Sequence, residues 1–283
     1  MYQSQLLIVC VCLTLLLILK IMNINLNFRI RSNNILDTSS YKYDKVKYNI
    51  MFLMLCTSNY DHICTNGASY VYTYCKLHNY RFKIFRKNLN DKLHINFSKF
   101  EMVKQAMIDH PEIDYFVHID ADVVFTSYEL SIEQLILEFS DTPSAKCFAP
   151  SDTLFSIVNI PYVSLGLCYS SMNAGFMIWR YDSLDIIERY LQTAEHTQCG
   201  KKFNSINPRN QNVWDMCFKD LLNKGDFSYI PWELVGTNNS KIIYQIYISH
   251  NKFGYDYVNH KHDLVDDVSE HIISNSSDVI TLL

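Results

Sequence analysis

Tyr115-Phe116-Val117-His118-Ile119-Asp120-Ala121-Asp122-Val123-Val124-Phe125 places two carboxylates, one residue apart, at the end of an apolar run. Tyr115 to Ile119 is mostly aromatic and β-branched and holds neither Gly nor Pro, which predicts a buried central strand of a parallel sheet. Ligands of open α/β sheets bind just beyond the carboxyl ends of such strands, so Asp120 and Asp122 are expected at that edge. Two ionised carboxylates so close repel each other and resist desolvation. A hard divalent cation takes up their charge, and oxygen ligands suit Mg²⁺ or Mn²⁺. The ligand implied is a metal carrying a phosphate. A solvated turn after a strand gives the same triplet; the apolar lead-in and the tail Val123 to Phe125 favour a site. His118 points to the opposite side of the strand from Ile119 and reads as a satisfied core histidine.

With 283 residues, 48% apolar and 19% charged, the chain is ordinary globular material, long enough for one sizeable α/β domain plus appendages. A net charge of -4 with scattered Lys and Arg gives no basic field for a nucleic-acid backbone, so nucleic acid is not an expected partner. Nine cysteines are present, two of them (Cys10, Cys12) in an apolar N-terminal run. The remainder contain no Cys-x-x-Cys, which disfavours zinc and leaves disulfides in an oxidising compartment, or buried free thiols.

After a short tail (1-5), Leu6 to Leu19 carries no charge and is followed by Lys20-Ile21-Met22. The run is short for a span of about 20 residues unless Lys20 snorkels to the interface. Without a basic n-region or an Ala-x-Ala-like site, residues 6-22 read as a signal-anchor in preference to a cleaved signal. Lys20, Arg29 and Arg31 follow the run, which by the positive-inside rule keeps the body cytosolic. Sequons at Asn96, Asn238 and Asn275 speak for a lumenal body. Residues 23-47, rich in Asn, Ser and scattered charge, read as a stem, and 48-283 as the folded domain.

Within that domain Asn49 to Cys56 is a strand ending in the polar cluster Thr57-Ser58-Asn59-Tyr60-Asp61. Ala68, Val71, Tyr72 and Cys75 share a helical face, and Arg81 to Arg86 alternates as a strand, completing a βαβ unit. Ser98 to Glu101 fits a capping box opening a second helix that Pro111 stops, and Ser131 to Gln134 fits another for a helix reaching Phe139. Ala145 to Ala149 reads as a short strand. Met172 to Arg180 is a turn feeding a strand, Ser183 to Glu195 a helix, and Asn210-Gln211-Asn212 opens a further helix toward Leu222. Ile242 to Ser249 is β-rich and ends in His250-Asn251-Lys252-Phe253-Gly254.

This order of motifs resembles the GT-A glycosyltransferases, most closely the retaining galactosyl, mannosyl and xylosyl transferases of Golgi membranes, over roughly Ile50 to Gly254. Tyr74 to Tyr80 is similar to the Tyr-Ala-x-x-His-Gly-Tyr pattern of that family's first helix. Ser98-Lys99 resembles its Trp-x-Lys helix, with Phe97 where Trp is usual. His118 to Phe125 matches its Asp-x-Asp strand and Asn173-Ala174-Gly175 its Asn-Ala-Gly motif. Asn210-Gln211 falls where the family has an acidic residue and Gln, and His250 with Gly254 resembles its C-terminal metal-binding His and following Gly.

The resemblance implies a Rossmann-like GT-A fold with an N-terminal membrane anchor. It also implies metal-dependent, retaining transfer of a hexose or pentose from a UDP- or GDP-sugar to a glycan or glycoprotein. Asp120, Asp122 and His250 would hold Mn²⁺ (or Mg²⁺), with His260 and His262 as alternative nitrogen donors. Thr57, Ser58 and Tyr60 would meet the base, and Lys99, Asp120, Ala121, Gly175 and Gly254 the rest of the donor. Gln211 and Asn173 would lie at the reacting sugar. The expected location is the Golgi or endoplasmic reticulum membrane, single-pass, with the domain lumenal. Where relatives place a Lys after the Gly, Tyr255-Asp256-Tyr257 follows here, leaving Lys252 or Lys261 as substitutes. Two alternatives stay open: a haloacid-dehalogenase-like phosphatase with Asp120 as nucleophile, Asp122 as acid and Asp266-Asp267 as a later metal pair, or a sugar-binding GT-A-like protein without turnover.

Overall fold

Ile50–Leu55 is apolar throughout and lies between two layers of helix as the interior strand β1. The computed structural model describes residues 47–125, 128, 130–150, 172–206, 209–230, 234–237, 248–250 and 277–283, all within one compact unit. The predicted anchor and all of the stem but its last residue lie outside them, as do Gly254, His260 and His262. No helix among the described residues is long and apolar enough to cross a membrane.

From β1 the chain enters α1 (Asp61–His78), which ends where Asn79 adopts the left-handed conformation (φ 60, ψ 45) that Asn tolerates at helix ends. It then forms β2 (Arg81–Phe85), α2 (Ser98–Asp109) and β3 (Tyr115–Ile119). Both β2 and β3 pair with β1 in parallel, one on each side, so the crossover direction reverses between the two helices. Side-chain alternation along β1 shows the result. Phe52 meets Tyr74 of α1 (ring centroids 5.7 Å apart), whereas Met51 and Leu53 belong to the core formed with Phe100, Val103 and Met107 of α2. The gap between β1 and β3 is therefore a topological switch point, where α/β sheets bind ligands.

Val123–Phe125 is a separate strand, β4, and pairs in a small three-stranded sheet. After a one-turn helix α3 (Ile132–Gln134) and a wider turn (Leu135–Phe139), β5 (Cys147–Pro150) and β6 (Phe176–Arg180) rejoin the main sheet. Helices α4 (Leu184–His196), α5 (Gln198–Asn204) and α6 (Arg209–Val213) follow, the last continuing through Trp214–Phe218. The strands β7 (Phe227–Ile230), β8 (Val235–Thr237), β9 (Ile248–His250) and β10 (Val279–Thr281) complete the order β10-β2-β1-β3-β6-β5-β7 in one sheet and β4-β9-β8 in the other.

The expectation of a parallel sheet holds for β2-β1-β3 and for β5 with β7, and fails at β6, antiparallel to both β3 and β5, and at β10, antiparallel to β2. At β6 the reason is local. Strand β6 is entered from the turn Asn173 to Gly175, which lies at the carboxyl end of β3, so it must run back down beside it.

The capping box at Ser131 and Gln134 is present. The one predicted at Ser98 is not: a 3-10 turn, Ile95–Phe97, runs straight into α2, so the Ser98 amide already donates to Ile95 and Ser98 is the first helical residue. Its hydroxyl instead bonds Asn88 and accepts from the Leu89 amide, while Glu101 takes the Asn90 side chain at 2.8 Å, pinning the loop before α2. Disulfides join Cys56 to Cys64 and Cys199 to Cys217, and Cys75 and Cys147 are buried thiols.

Candidate active site

A period of two along β3 puts Phe116, His118 and Asp120 on the face that meets α2. Lys99, in the first turn of α2 and only 8% exposed, reaches the strand end from there. Its ammonium donates to Asp120 Oδ1 at 2.6 Å and to the Ala174 carbonyl at 3.0 Å. The Asp120 amide donates to the Gly175 carbonyl at 2.8 Å, and Asn173 Oδ1 accepts from the Gly175 amide at 2.8 Å. Lys99, Asp120 and the turn Asn173-Ala174-Gly175 thus form one knot at the carboxyl end of β3.

His118 lies beneath it, fully buried. The indole N–H of Trp179 donates to His118 Nδ1 at 3.1 Å; since an indole only donates, Nδ1 must accept and the proton sits on Nε2. Nε2 then donates to the Ala174 carbonyl at 3.0 Å. Burial first, and the nearby Lys99 charge second, depress the imidazole pKa to about 3, so the ring is neutral. The reading of His118 as a satisfied core histidine holds, and its hydrogen bond reaches the same carbonyl as Lys99.

Past Asp120 the chain turns at once, the Val123 amide donating to the Asp120 carbonyl at 3.0 Å. Ala121 at the crest meets α1 edge-on: a Cβ built on Gly67 would stand 1.9 Å from the Ala121 carbonyl oxygen. Only glycine allows this approach. Beyond the turn, β4 and β9 are antiparallel with Val123 opposite His250, so the backbone brings His250 beside the residue that follows Asp122.

Of the other expected residues, Thr57, Ser58 and Tyr60 follow β1 and Gln211 lies on α6. Thr57 follows the carboxyl end of β1, and Ser58–Tyr60 forms an exposed 3-10 turn closed by Cys56–Cys64. Arg86 pairs with Asp61 at 2.6 Å and fixes the start of α1 behind that turn. Gln211 on α6 donates through Nε2 to the Met172 carbonyl at 2.5 Å, one residue before Asn173. Gly254 lies outside the described residues. Sequence reasoning missed Gly67 and Trp179. The only signal for Gly67 was a glycine in the middle of a well-formed helical pattern, which marks close packing.

A family model described as the galactosyl transferase GMA12/MNN10 family matches residues 56–144, the stretch from the end of β1 through the acid pair. Galactomannan galactosyltransferase 1 of Cyamopsis tetragonoloba is 31% identical over 72 residues, covering 25% of this chain and 17% of that relative. Among solved structures, a glycosyltransferase involved in the glycosylation of the major capsid of PBCV-1 superposes with a TM-score of 0.54 at 13% identity, over 80% of this chain and all of the other. The chain has the mixed α/β fold of the GT-A glycosyltransferases.

Asp120 and Asp122 supply oxygen donors at a sheet edge, and among the described residues the cysteines other than the buried pair are taken by disulfides. Among the described residues no three His, Cys, Asp or Glu side chains converge. A pair of carboxylates offers the hard oxygen donors that suit Mn²⁺ or Mg²⁺. The phosphatase alternative requires the acid pair on the first strand of its domain; here it ends the third.

Proposed function

We propose that the protein is a metal-dependent, retaining glycosyltransferase that moves a hexose, galactose foremost, from a nucleotide sugar to a glycan or glycoprotein acceptor. The observation that carries the reading is the acid turn Asp120-Ala121-Asp122, held by Lys99 and the Asn173 to Gly175 turn at the switch point of a GT-A sheet. The galactosyl choice is supported by the match of residues 56–144.

In this reading Asp120, Asp122 and His250 would hold Mn²⁺ (or Mg²⁺), which when bound neutralises the diphosphate leaving group. Lys99 fixes one oxygen of Asp120 so that the carboxylate is oriented before the donor arrives, and such preorganisation is usually the largest catalytic term. Thr57, Ser58 and Tyr60 would receive the base, and Ala121 and Gly175 would line the donor, a part the sequence resemblance also gives to Gly254. Asn173 and Gln211 position the sugar, held by their bonds to Gly175 and Met172. Retention follows from a front-face displacement. The bond from the anomeric carbon to phosphate breaks, the acceptor oxygen bonds the same face, and the acceptor proton passes to the leaving phosphate.

We further propose a single-pass anchor at 6-22 and a domain facing the Golgi or endoplasmic reticulum lumen. Two disulfides and a sequon at the partly exposed Asn96 support it. Incubating the protein with a panel of UDP- and GDP-sugars, with and without Mn²⁺, tests the activity. Endoglycosidase sensitivity tests the location.

A further inference from the structure

Beneath the acid turn, one backbone carbonyl serves two donors from different layers. The Ala174 carbonyl oxygen accepts from Lys99 Nζ on α2 and from His118 Nε2 on β3, each at 3.0 Å. The imidazole cannot rotate away, because Trp179 on β6 holds its Nδ1 at 3.1 Å and the ring is packed edge-on against Phe100, 5.4 Å between centroids. Lys99 is equally constrained, being buried along its stem with its ammonium shared between the Ala174 carbonyl and Asp120 Oδ1. The Ala174 carbonyl therefore helps to place the ammonium, and the ammonium in turn holds Asp120 Oδ1.

We propose that His118 is a positioning residue for the donor site, acting through the Ala174 carbonyl and Lys99 to orient Asp120, with Trp179 setting its tautomer. This rests on the function proposed above and extends it to two residues that touch neither metal nor donor. Removing the Nε2–H leaves the Ala174 carbonyl to Lys99 alone, and the ammonium is then free to follow the carbonyl instead of holding the carboxylate.

The test is a double-mutant cycle with His118→Leu and Lys99→Met, reading Mn²⁺ affinity by electron paramagnetic resonance in the presence of UDP, together with KM and kcat for the donor. Loss of such an outer partner costs metal affinity about 10-fold or more. His118→Leu should therefore weaken Mn²⁺ binding by that factor where Lys99 is intact, and by far less when it is added to Lys99→Met. A residue that only packs would lower the thermal midpoint and leave Mn²⁺ affinity and KM unchanged. Should His118→Leu not fold, His118→Asn, polar but too short to span Trp179 and Ala174, carries the same expectation. Additive effects, or Mn²⁺ affinity unchanged in the folded His118 variant while the wild type binds Mn²⁺ and UDP together, would overturn the inference alone. A wild type without Mn²⁺-linked UDP binding would overturn the proposed function, and this inference with it.

Discussion

Gly67 and Ala121 meet backbone to backbone, so closely that a Cβ on Gly67 would stand 1.9 Å from the Ala121 carbonyl oxygen. Helix α1 thereby sets the height of the turn that carries both acids. Gly67→Ala has to push the helix or the turn aside, and overpacking of this kind costs about 1–3 kcal/mol of stability. Its larger effect falls on the site, since a displacement of about 1 Å among reacting groups can cost about 100-fold in rate. The expected result is a folded variant with donor kcat/KM down by about that factor, checked by circular dichroism and donor turnover on one preparation.

Lys99 is buried and Asp120 is about one-third exposed, so their pair lies between the surface and core cases. Lys99→Met should cost about 2 kcal/mol in denaturant unfolding, between the roughly 1 kcal/mol of an exposed pair and the roughly 3–5 kcal/mol of breaking a buried one. Lys99→Arg should not restore activity, because the larger, planar guanidinium has to displace what packs around the buried, compact ammonium. Urea titrations of the three proteins, with donor turnover alongside, check this.

The β4–β9 pairing sets the His250 backbone opposite Val123, and the proposed function gives its imidazole to the metal. His250→Ala should weaken Mn²⁺ binding at least as much as loss of an outer partner does, about 10–100-fold, measured by isothermal titration with UDP present. Unchanged affinity would shift attention to His260 and His262.

Strand β3 and the acids at its end were legible because an apolar, β-branched run closing on paired carboxylates has few other uses. The same was true of β1, α1 and α4, whose apolar faces repeat at the helical or strand period. What sequence could not disclose came from contacts between distant segments. The direction of β6 depends on where the turn at Asn173 docks, and the role of Gly67 depends on what lies across from it. The motif at Ser98 and Glu101 has the spacing of a capping box, but the 3-10 turn before it had already satisfied the amide, so both side chains went to the loop at Asn88 to Asn90.

Cys199 and Cys217 are separated by 18 residues and tie α5 to the turn after α6. Replacing both with Ser should cost about 3 kcal/mol, from the loop-closure entropy the bridge removes from the unfolded chain. Thermal melts of the variant check this. Peptide mapping without reductant should recover Cys56 linked to Cys64 and Cys199 linked to Cys217.

The acid turn is the centre of the proposed chemistry, and transfer from UDP-galactose tests it most directly. Sugar release or transfer is measured for the wild type, Asp120→Ala and Asp122→Ala, each with Mn²⁺ and with EDTA. Mn²⁺-dependent turnover by the wild type, abolished by EDTA and by either substitution while the fold persists, is the result expected of a metal-held donor site. Turnover that survives EDTA, or survives loss of both carboxylates, would contradict it.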